Sequence, residues 1–269
     1  MKGMRTSPSS YNASISGDFS MSSRISYISL FLLALLLIFF INNSLLFSQM
    51  IKIPASPTPQ VKKDPNAFTI ARLKYEGGGD WYWGSSAIPN MLKYLKENTN
   101  IPVDEKEVRV SIMDKELFNY PFLFLTGHGN IKFSDEEVER LRTYLTHGGF
   151  LFANDSYGLD KALRREMKKV FPNNELVELP FNHGIYHSYY DFPNGLPKIH
   201  KHEGKPAQGF GIFYSVNGSV GENRLVVFYV YESDIGDGWE DPQVHNDPPE
   251  KREAALKMGV NIITWVLEN

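Results

Sequence analysis

The sequence predicts an α/β domain whose central sheet is mostly parallel and covered by helices on both faces. Three observations lead there. Residues 122–126 (FLFLT) and 150–153 (FLFA) are continuous apolar runs bounded by Pro121, Gly127 and Gly149, the pattern of central strands buried on both faces. Segments with apolar residues at helical spacing lie between such runs. The resulting order of strand, helix, strand, strand, helix, strand, helix suits crossover connections between parallel strands.

Each element has a local cause. Residues 68–75 (FTIARLKY), rich in β-branched and aromatic side chains and ending in the turn run EGGGD, read as the first strand. Residues 87–98 place Ile88, Met91, Leu92 and Leu95 on one helical face, with stop signals at Asn98 and Asn100. Residues 108–112 are the next strand, followed by 122–126. Ser134-Asp135-Glu136-Glu137 is a capping box, in which the serine hydroxyl and the glutamate three residues on satisfy each other's exposed N–H groups. Val138, Leu141 and Leu145 follow on one face, and Gly148-Gly149 closes that helix. After the strand at 150–153 comes a helix over 159–170, ended by Phe171-Pro172. Residues 176–179 read as a strand. Residues 182–208 form a long loop dense in His, Pro, Gly and aromatics, and a loop of that length in a compact domain usually serves a function. Residues 210–216 and 224–231 pair around a turn at Asn217-Gly218, and Pro248-Pro249 precedes a helix over 250–267 with Ala255, Met258, Ile262 and Val266 toward the core.

Composition narrows the chemistry. The chain has 269 residues, a formal net charge of −3 and no cysteine. It therefore has no disulfide, no thiolate metal site and no thiol nucleophile. No dense Lys/Arg block supplies the positive stripe that a phosphate backbone needs, which sets nucleic acid aside as a partner. Residues 1–24 form a leader rich in Ser, Gly and Asn. Residues 25–48 open with ISYISLFLLALLLIFFI, a run between the lengths usual for a signal peptide and for a membrane anchor, and both readings stay open. Lys2, Arg5 and Arg24 put positive charge on the cytoplasmic side, so the rest of the chain is expected outside that membrane, in the periplasm or cell envelope. Met21 is an alternative start that leaves a short Met-Ser-Ser-Arg leader. Residues 49–67, with Pro54, Pro57, Pro59 and Pro65, read as an extended spacer, and a single domain is expected over 68–269.

Two groups of segments carry a resemblance. FLFLTGHGNIKFSDEEVERLRTYLTHGGFLFANDS resembles the strand, loop, helix, Gly-Gly, strand module of the class I glutamine amidotransferase-like fold. More specifically, ARLKYEGGGDWYWGSSAIPNML, HSYYDFPNGLPK and ALKMGVNIITWVL resemble the bacterial DUF4159 domain family, whose members are often attached to membrane segments. The resemblance covers nearly all of 68–269. It implies a flavodoxin-like, class I glutamine amidotransferase-like three-layer sandwich, here preceded by the N-terminal hydrophobic helix, and it implies no activity. In the amidotransferases the strand after the Gly-Gly turn runs into an elbow that presents a cysteine. The equivalent elbow here is Asn154-Asp155-Ser156, which cannot form the thioester through which ammonia is released, so glutaminase activity is not expected.

Parallel sheets place ligand sites outside the carboxyl ends of their strands. If the strands are as read, Asp80, His128, Asp155 and Ser156 converge on one cleft. Ser156 is a nucleophile or a helix N-cap; its elbow resembles half of a G-x-S-x-G turn without the first Gly. Asp155 is a general base, a ligand contact or a turn residue. Gly77-Gly78-Gly79 suits an anion cradle or a plain turn, with Asp80 set against phosphate. Trp81, Tyr82 and Trp83 beside Asp80 suit sugar rings or cations, or anchor their loop on the core. The ligand-binding candidates are thus Asp80, Trp81, Tyr82, Trp83, His128, Asn154 and Asp155.

Five of the seven histidines lie between His183 and His245. His183 and His187 with Asp191 are the candidate ligands of a divalent metal, the one cofactor the sequence suggests. His200 and His202 form an H-x-H, with Asp234, Asp237 and Asp241 as further oxygen donors, and residues 234–241 have the composition of a calcium loop without its ligand spacing.

Three functional readings follow. The first is a non-catalytic envelope domain that binds a small molecule, an envelope polymer or an envelope protein. The second is an envelope hydrolase using Asp155 or Ser156, with His128 as a further catalytic candidate, and with His183 or His187 folding back to within hydrogen-bond reach of the elbow. The third is an interaction module presenting Trp81, Trp83 and Trp239 in one exposed patch.

Overall fold

In the computed structural model, the structure describes residue 32, residues 66–215 and residues 223–269. The chain divides into two units, Met1–Lys62 and Lys63–Asn269, and the fold described here belongs to the second. The hydrophobic segment at 25–48, the proline-rich spacer and the Asn217-Gly218 turn lie outside the described residues, Leu32 excepted. Among the described residues no helix is long and apolar enough to cross a membrane.

The strands are β1 (Ala71–Lys74), β2 (Val108–Ser111), β3 (Phe122–Leu125), β4 (Phe150–Asn154), β5 (Val177–Glu178), β6 (Gln208–Ser215) and β7 (Asn223–Tyr231). They form one seven-stranded sheet in the order β2-β1-β3-β4-β7-β6-β5. All pairs from β2 to β7 across the sheet are parallel, and β7-β6 and β6-β5 are antiparallel. The expected α/β class and mostly parallel sheet are both present. The first strand is shorter than its apolar run, because Phe68 leaves the ladder for an isolated bridge to Val103.

Alternation along β3 and β4 divides the core. Phe122, Phe124, Phe150 and Phe152 join Phe228 of β7 on one face, and Leu123, Leu125 and Leu151 point to the other. Helices α1 (Ala87–Asn98) and α6 (Pro249–Glu268) cover the phenylalanine face through Ile88, Met91, Leu92, Met258 and Ile262. Helices α2 (Asp135–Thr146) and α3 (Asp160–Val170) cover the leucine face through Leu141, Leu145, Leu163 and Met167. Each of these four helices buries one apolar stripe on the sheet. The capping box forms as the sequence dictates, with the Glu137 N–H donating to Ser134 Oγ and the Ser134 N–H to Glu137 Oε2.

Two short helices, α4 (Ile235–Gly238) and α5 (Pro242–His245), were hidden in the acidic stretch after β7. They are fixed by the helices of the phenylalanine face. Asn90 of α1 donates to the Trp239 carbonyl and to Asp241, Ser86 accepts from the Asp241 N–H, and the Trp239 indole donates to the Ala255 carbonyl. Trp239 is fully buried against Phe124 and Phe152, with ring centroids at 5.5 and 5.7 Å. The exposed tryptophan patch is therefore not formed: Trp239 is a core residue, drawn in because its large apolar ring fills the space above the phenylalanine ladder.

Glu166 of α3 is a fully buried carboxylate on the leucine face. Burial alone would raise its pKa, but Lys169, the Phe133 N–H and Arg165 together hold it below the ordinary glutamate value. A carboxyl depressed in the fold contributes stability that is present above its unfolded pKa and lost as pH falls through the folded one. Glu166→Gln is expected to destabilise the domain by about 1–3 kcal/mol near neutral pH. In melting curves taken from pH 7 downward, the gap to the unmodified chain should close below about pH 4.

Candidate histidine–carboxylate site at the carboxyl edge

The carboxyl ends of β1, β3, β4 and β7 carry the polar groups of the domain. The chain leaves β7 through a sharp corner in which Glu232 and Asp234 are left-handed, with φ of 57° and 60°. For residues other than glycine this conformation costs about 1–3 kcal/mol each and persists only where neighbours enforce it. The neighbours come from the β4 elbow. Asp155 Oδ2 accepts from the Glu232 N–H at 2.6 Å, and Asn154 accepts from the Gly236 N–H at 2.7 Å while its amide donates to Asp234 Oδ1 at 3.1 Å. A Cβ on Gly236 would lie 2.9 Å from the Asn154 amide, so only glycine allows this approach.

The long loop is tied to the same corner. The Ile199 N–H donates to the Ser233 carbonyl, Ser233 Oγ to the Pro197 carbonyl, and Lys251 of α6 to the Ile199 carbonyl. These tethers set His200 and His202 over Asp234. His202 Nε2 lies 2.9 Å from Asp234 Oδ2, and its Nδ1 lies 3.6 Å from Asp155 Oδ2. His200 Nδ1 lies 3.0 Å from Asp234 Oδ2, and its Nε2 lies 3.0 Å from Asp247. Beyond them Asp237 on α4, Glu240 and His245 on α5 close a second layer, with His245 Nε2 at 3.4 Å from both carboxylates. Gly84 brings the loop after β1 against this layer: a Cβ there would be 2.7 Å from Glu240 Oε1. That loop is held from below by Arg72, fully buried, which donates to the carbonyls of Trp83 and Gly84 and pairs with Glu107.

Charge in this cluster follows from burial. Burial works against ionisation of Asp234, but hydrogen bonds from His200 and His202 outweigh it and hold the carboxyl below the ordinary aspartate range. Its hydrogen bond to Asp234, with the Asp237 carboxylate close by, pushes His200 up to about 10. Burial pulls His202 down, yet Asp155 and Asp234 carry it up to about 9. Asp237 and Glu240 move the other way: burial, reinforced by repulsion from Asp234 on Asp237 and from Asp237 on Glu240, raises each above its ordinary value.

Beside the cluster a cleft of about 490 Å³ opens over the ends of β4 and β7, lined among others by Asp155, Tyr157, Lys161, His202, Lys205 and Tyr231. Glu232 and Glu203 lie in its wall.

The family profile described as a domain of unknown function, DUF4159, matches residues 69–267. The chain belongs to the DUF4159 family. Comparison with curated proteins finds no match. In this DUF4159 domain the residues singled out from sequence separate into three places. Asp80 and His128 form a pair, Oδ2 to Nδ1 at 3.1 Å, with the Trp83 ring edge-on to the imidazole at 5.1 Å. Trp81 packs on the leucine-face core, and Tyr82 is 59% exposed. Asn154 and Asp155 belong to the β7 corner, and of the predicted ligand-binding set Asp155 alone lines the cleft. Ser156 sits between these groups, fully buried, with its hydroxyl against Thr126 Oγ1 at 3.1 Å and the Gly127 N–H at 3.4 Å. It does not cap α3, whose N-cap is Leu159. The Gly77–Gly79 run does not stand open as an anion cradle, since the N–H groups of Gly79 and Asp80 donate to the carbonyls of Asn130 and His128.

The DUF4159 structure also redistributes the histidines. His183 packs on Trp265 and Phe213, where burial lowers its pKa. His187 binds Asp191 at 2.5 Å and the Phe181 carbonyl, on the surface. Phe213 pairs with Leu225 near the start of β7, so His183 lies toward the opposite edge of the sheet from the elbow. The expected return of His183 or His187 to Asp155 and Ser156 is therefore replaced by His202. Of the members not named as ligands from sequence, Glu232, Glu240, His245 and Asp247, Glu240 carried a faint signal, since Asp234, Asp237 and Glu240 recur at the three-residue spacing of a helical turn.

Removing the clamp is expected to unmake the corner. Asn154→Ala leaves the Gly236 N–H and Asp234 Oδ1 without their Asn154 hydrogen bonds and should destabilise the domain by about 2–4 kcal/mol in denaturant titration. Amide exchange should rise first at residues 232–238.

Proposed function

We propose that this chain is a ligand-binding domain of the cell envelope, exported or tethered through residues 25–48, which holds a saccharide segment of an envelope polymer and does not cleave it. The cleft at the ends of β4 and β7 carries this reading. Tyr157, 61% exposed, and Tyr231 offer ring faces for sugar stacking. Asp155, Asp160 and Glu203 offer acceptors for hydroxyls, and Lys161 and Lys205 offer donors. The apolar run and the basic residues before it support the envelope placement. The strand order β2-β1-β3-β4-β7 supports the finer assignment to a flavodoxin-like, class I glutamine amidotransferase-like sandwich, whose ligands sit at this same edge.

One observation favours the hydrolase as a second reading: His202 stands beside Asp155 in the cleft wall. With a pKa of about 9 this imidazole is charged near neutral pH and offers a proton, which suits a general acid. A base for the Ser156 hydroxyl is not at hand, since that oxygen faces Thr126 and Gly127.

Isothermal titration of the full chain with soluble peptidoglycan fragments and chitooligosaccharides tests the binding reading. Saturable binding is expected, weakened roughly tenfold or more in Tyr157→Ala and Lys161→Ala and unchanged in Tyr82→Ala. Ser156→Ala should bind as the unmodified chain does. Absence of binding to every saccharide probe, or equal affinity in Tyr157→Ala, overturns the reading; release of new reducing ends during the titration would favour the hydrolase.

A further inference from the structure

Behind the cleft, the second layer of the cluster has a geometry that hydrogen bonding does not explain. His245 Nε2 is buried and has no hydrogen-bond partner. It lies 3.4 Å from Asp237 Oδ2 and 3.4 Å from Glu240 Oε2, and His200 Nδ1 lies 3.5 Å from the same Asp237 oxygen. These separations exceed the 2.7–2.9 Å or so of a charge-assisted N–H···O bond. They equal something else: a tetrahedron with metal–ligand bonds of about 2.1 Å has edges of about 3.4 Å. The ligand atoms of His200, Asp237 and His245 all fall within 4.8 Å of one another, and among the described residues this is the group of three or more that does so.

We propose that His200, Asp237 and His245 hold a zinc-class divalent cation, with Glu240 Oε2 beside it at 3.4 Å from His245 Nε2. The donor set decides the class. Two imidazoles with carboxylate oxygens suit zinc and its neighbours, whereas calcium and magnesium take oxygen shells. The surroundings of His200 match those of a metal-bound imidazole. Its Nε2 lies 3.0 Å from Asp247, the outer carboxylate that fixes the ring and leaves Nδ1 toward Asp237. On cation binding, Nδ1 exchanges its proton and its contact with Asp234 for the metal. Asp234 retains His202 and Asn154 as partners. Charge agrees as well: Asp234, Asp237, Glu240 and Asp247 crowd a nearly dry site where His200, His202 and His245 supply the facing imidazoles, and a doubly charged ion offsets the excess. The side chains of His200 and His245 remain 25% and 20% exposed, which leaves a route in from solvent. The cage is a different set of side chains from the saccharide cleft, joined to it through Asp234 and His202, so either can fail alone.

The test uses the full chain, stripped with EDTA and titrated with zinc against a competing chelator, with bound metal counted by mass spectrometry. One equivalent is expected. His245→Ala, His245→Gln and Asp237→Asn should each weaken binding by more than about 100-fold, and Asp247→Asn by about 10- to 100-fold, as for an outer partner. His187→Ala should bind as the unmodified chain does. Melting of each variant in chelator, compared with the unmodified chain in chelator, separates lost ligation from lost folding, and the Co2+-loaded chain should show the intense visible absorption of a four-coordinate site. No binding at micromolar free zinc, undiminished binding in folded His245 and Asp237 variants, or loss confined to His187→Ala overturns the assignment.

Discussion

The polar edge of this domain depends on one clamp: Asn154 and Asp155, at the end of β4, hold the left-handed corner that follows β7. Two non-glycine residues, Glu232 and Asp234, sit there at positive φ, a conformation that an unsupported chain abandons for an extended one. The clamp supplies hydrogen bonds from a parallel neighbour strand, at a place where the low dielectric strengthens them. In return the corner turns Asp234 toward His200 and His202 and starts α4, which carries Asp237. An extended exit from β7 would scatter all of these groups.

A second constraint acts from β1, on the same face of the sheet. Arg72 is buried under the loop that follows β1, satisfied by loop carbonyls and by Glu107, and Phe124 lies beneath its guanidinium at 5.6 Å. A buried guanidinium needs most of its donors filled, so the loop over it cannot wander. Gly84, at the end of that loop, presses on Glu240, and Arg252 of α6 binds the Glu240 carbonyl. The histidine–carboxylate layers are thus gripped between the β4 elbow, the β1 loop and α6. Preorganisation of this kind suits a site whose ligands must keep fixed separations.

Local sequence reveals the elements of this fold better than the contacts between them. Helix α1 occupies 87–98 and α2 follows its capping box, because apolar spacing and end signals are written within a dozen residues. The alternating Phe and Leu of 122–125 and 150–153 announced strands buried on both faces, and the sheet places them in its middle. The candidate site was legible only in part. Asp155 and the elbow were found from the rule about carboxyl ends, and His200-x-His202 was visible as a pattern. His183 and His187 flank a single 3-10 turn, so their four-residue spacing does not set the two imidazoles on one face of an α-helix. The elbow turns the Ser156 hydroxyl inward to Thr126, a contact that local sequence does not reveal.

By itself the sequence determined the α/β class, the order of the long elements, the absence of thiol chemistry and the strand ends at which polar residues gather. All of these follow from periodicity, capping and composition, which act over a few residues. Tertiary structure alone decided which histidines meet which carboxylates. His200, Asp237, His245 and Asp247 are brought together by the left-handed corner and by the tethers of a long loop, and the closure of His200 on segments more than 30 residues away leaves no periodic trace in the chain. It also decided that Trp239 is core and Tyr157 is surface, since burial is set by which face of the sheet a segment finally covers.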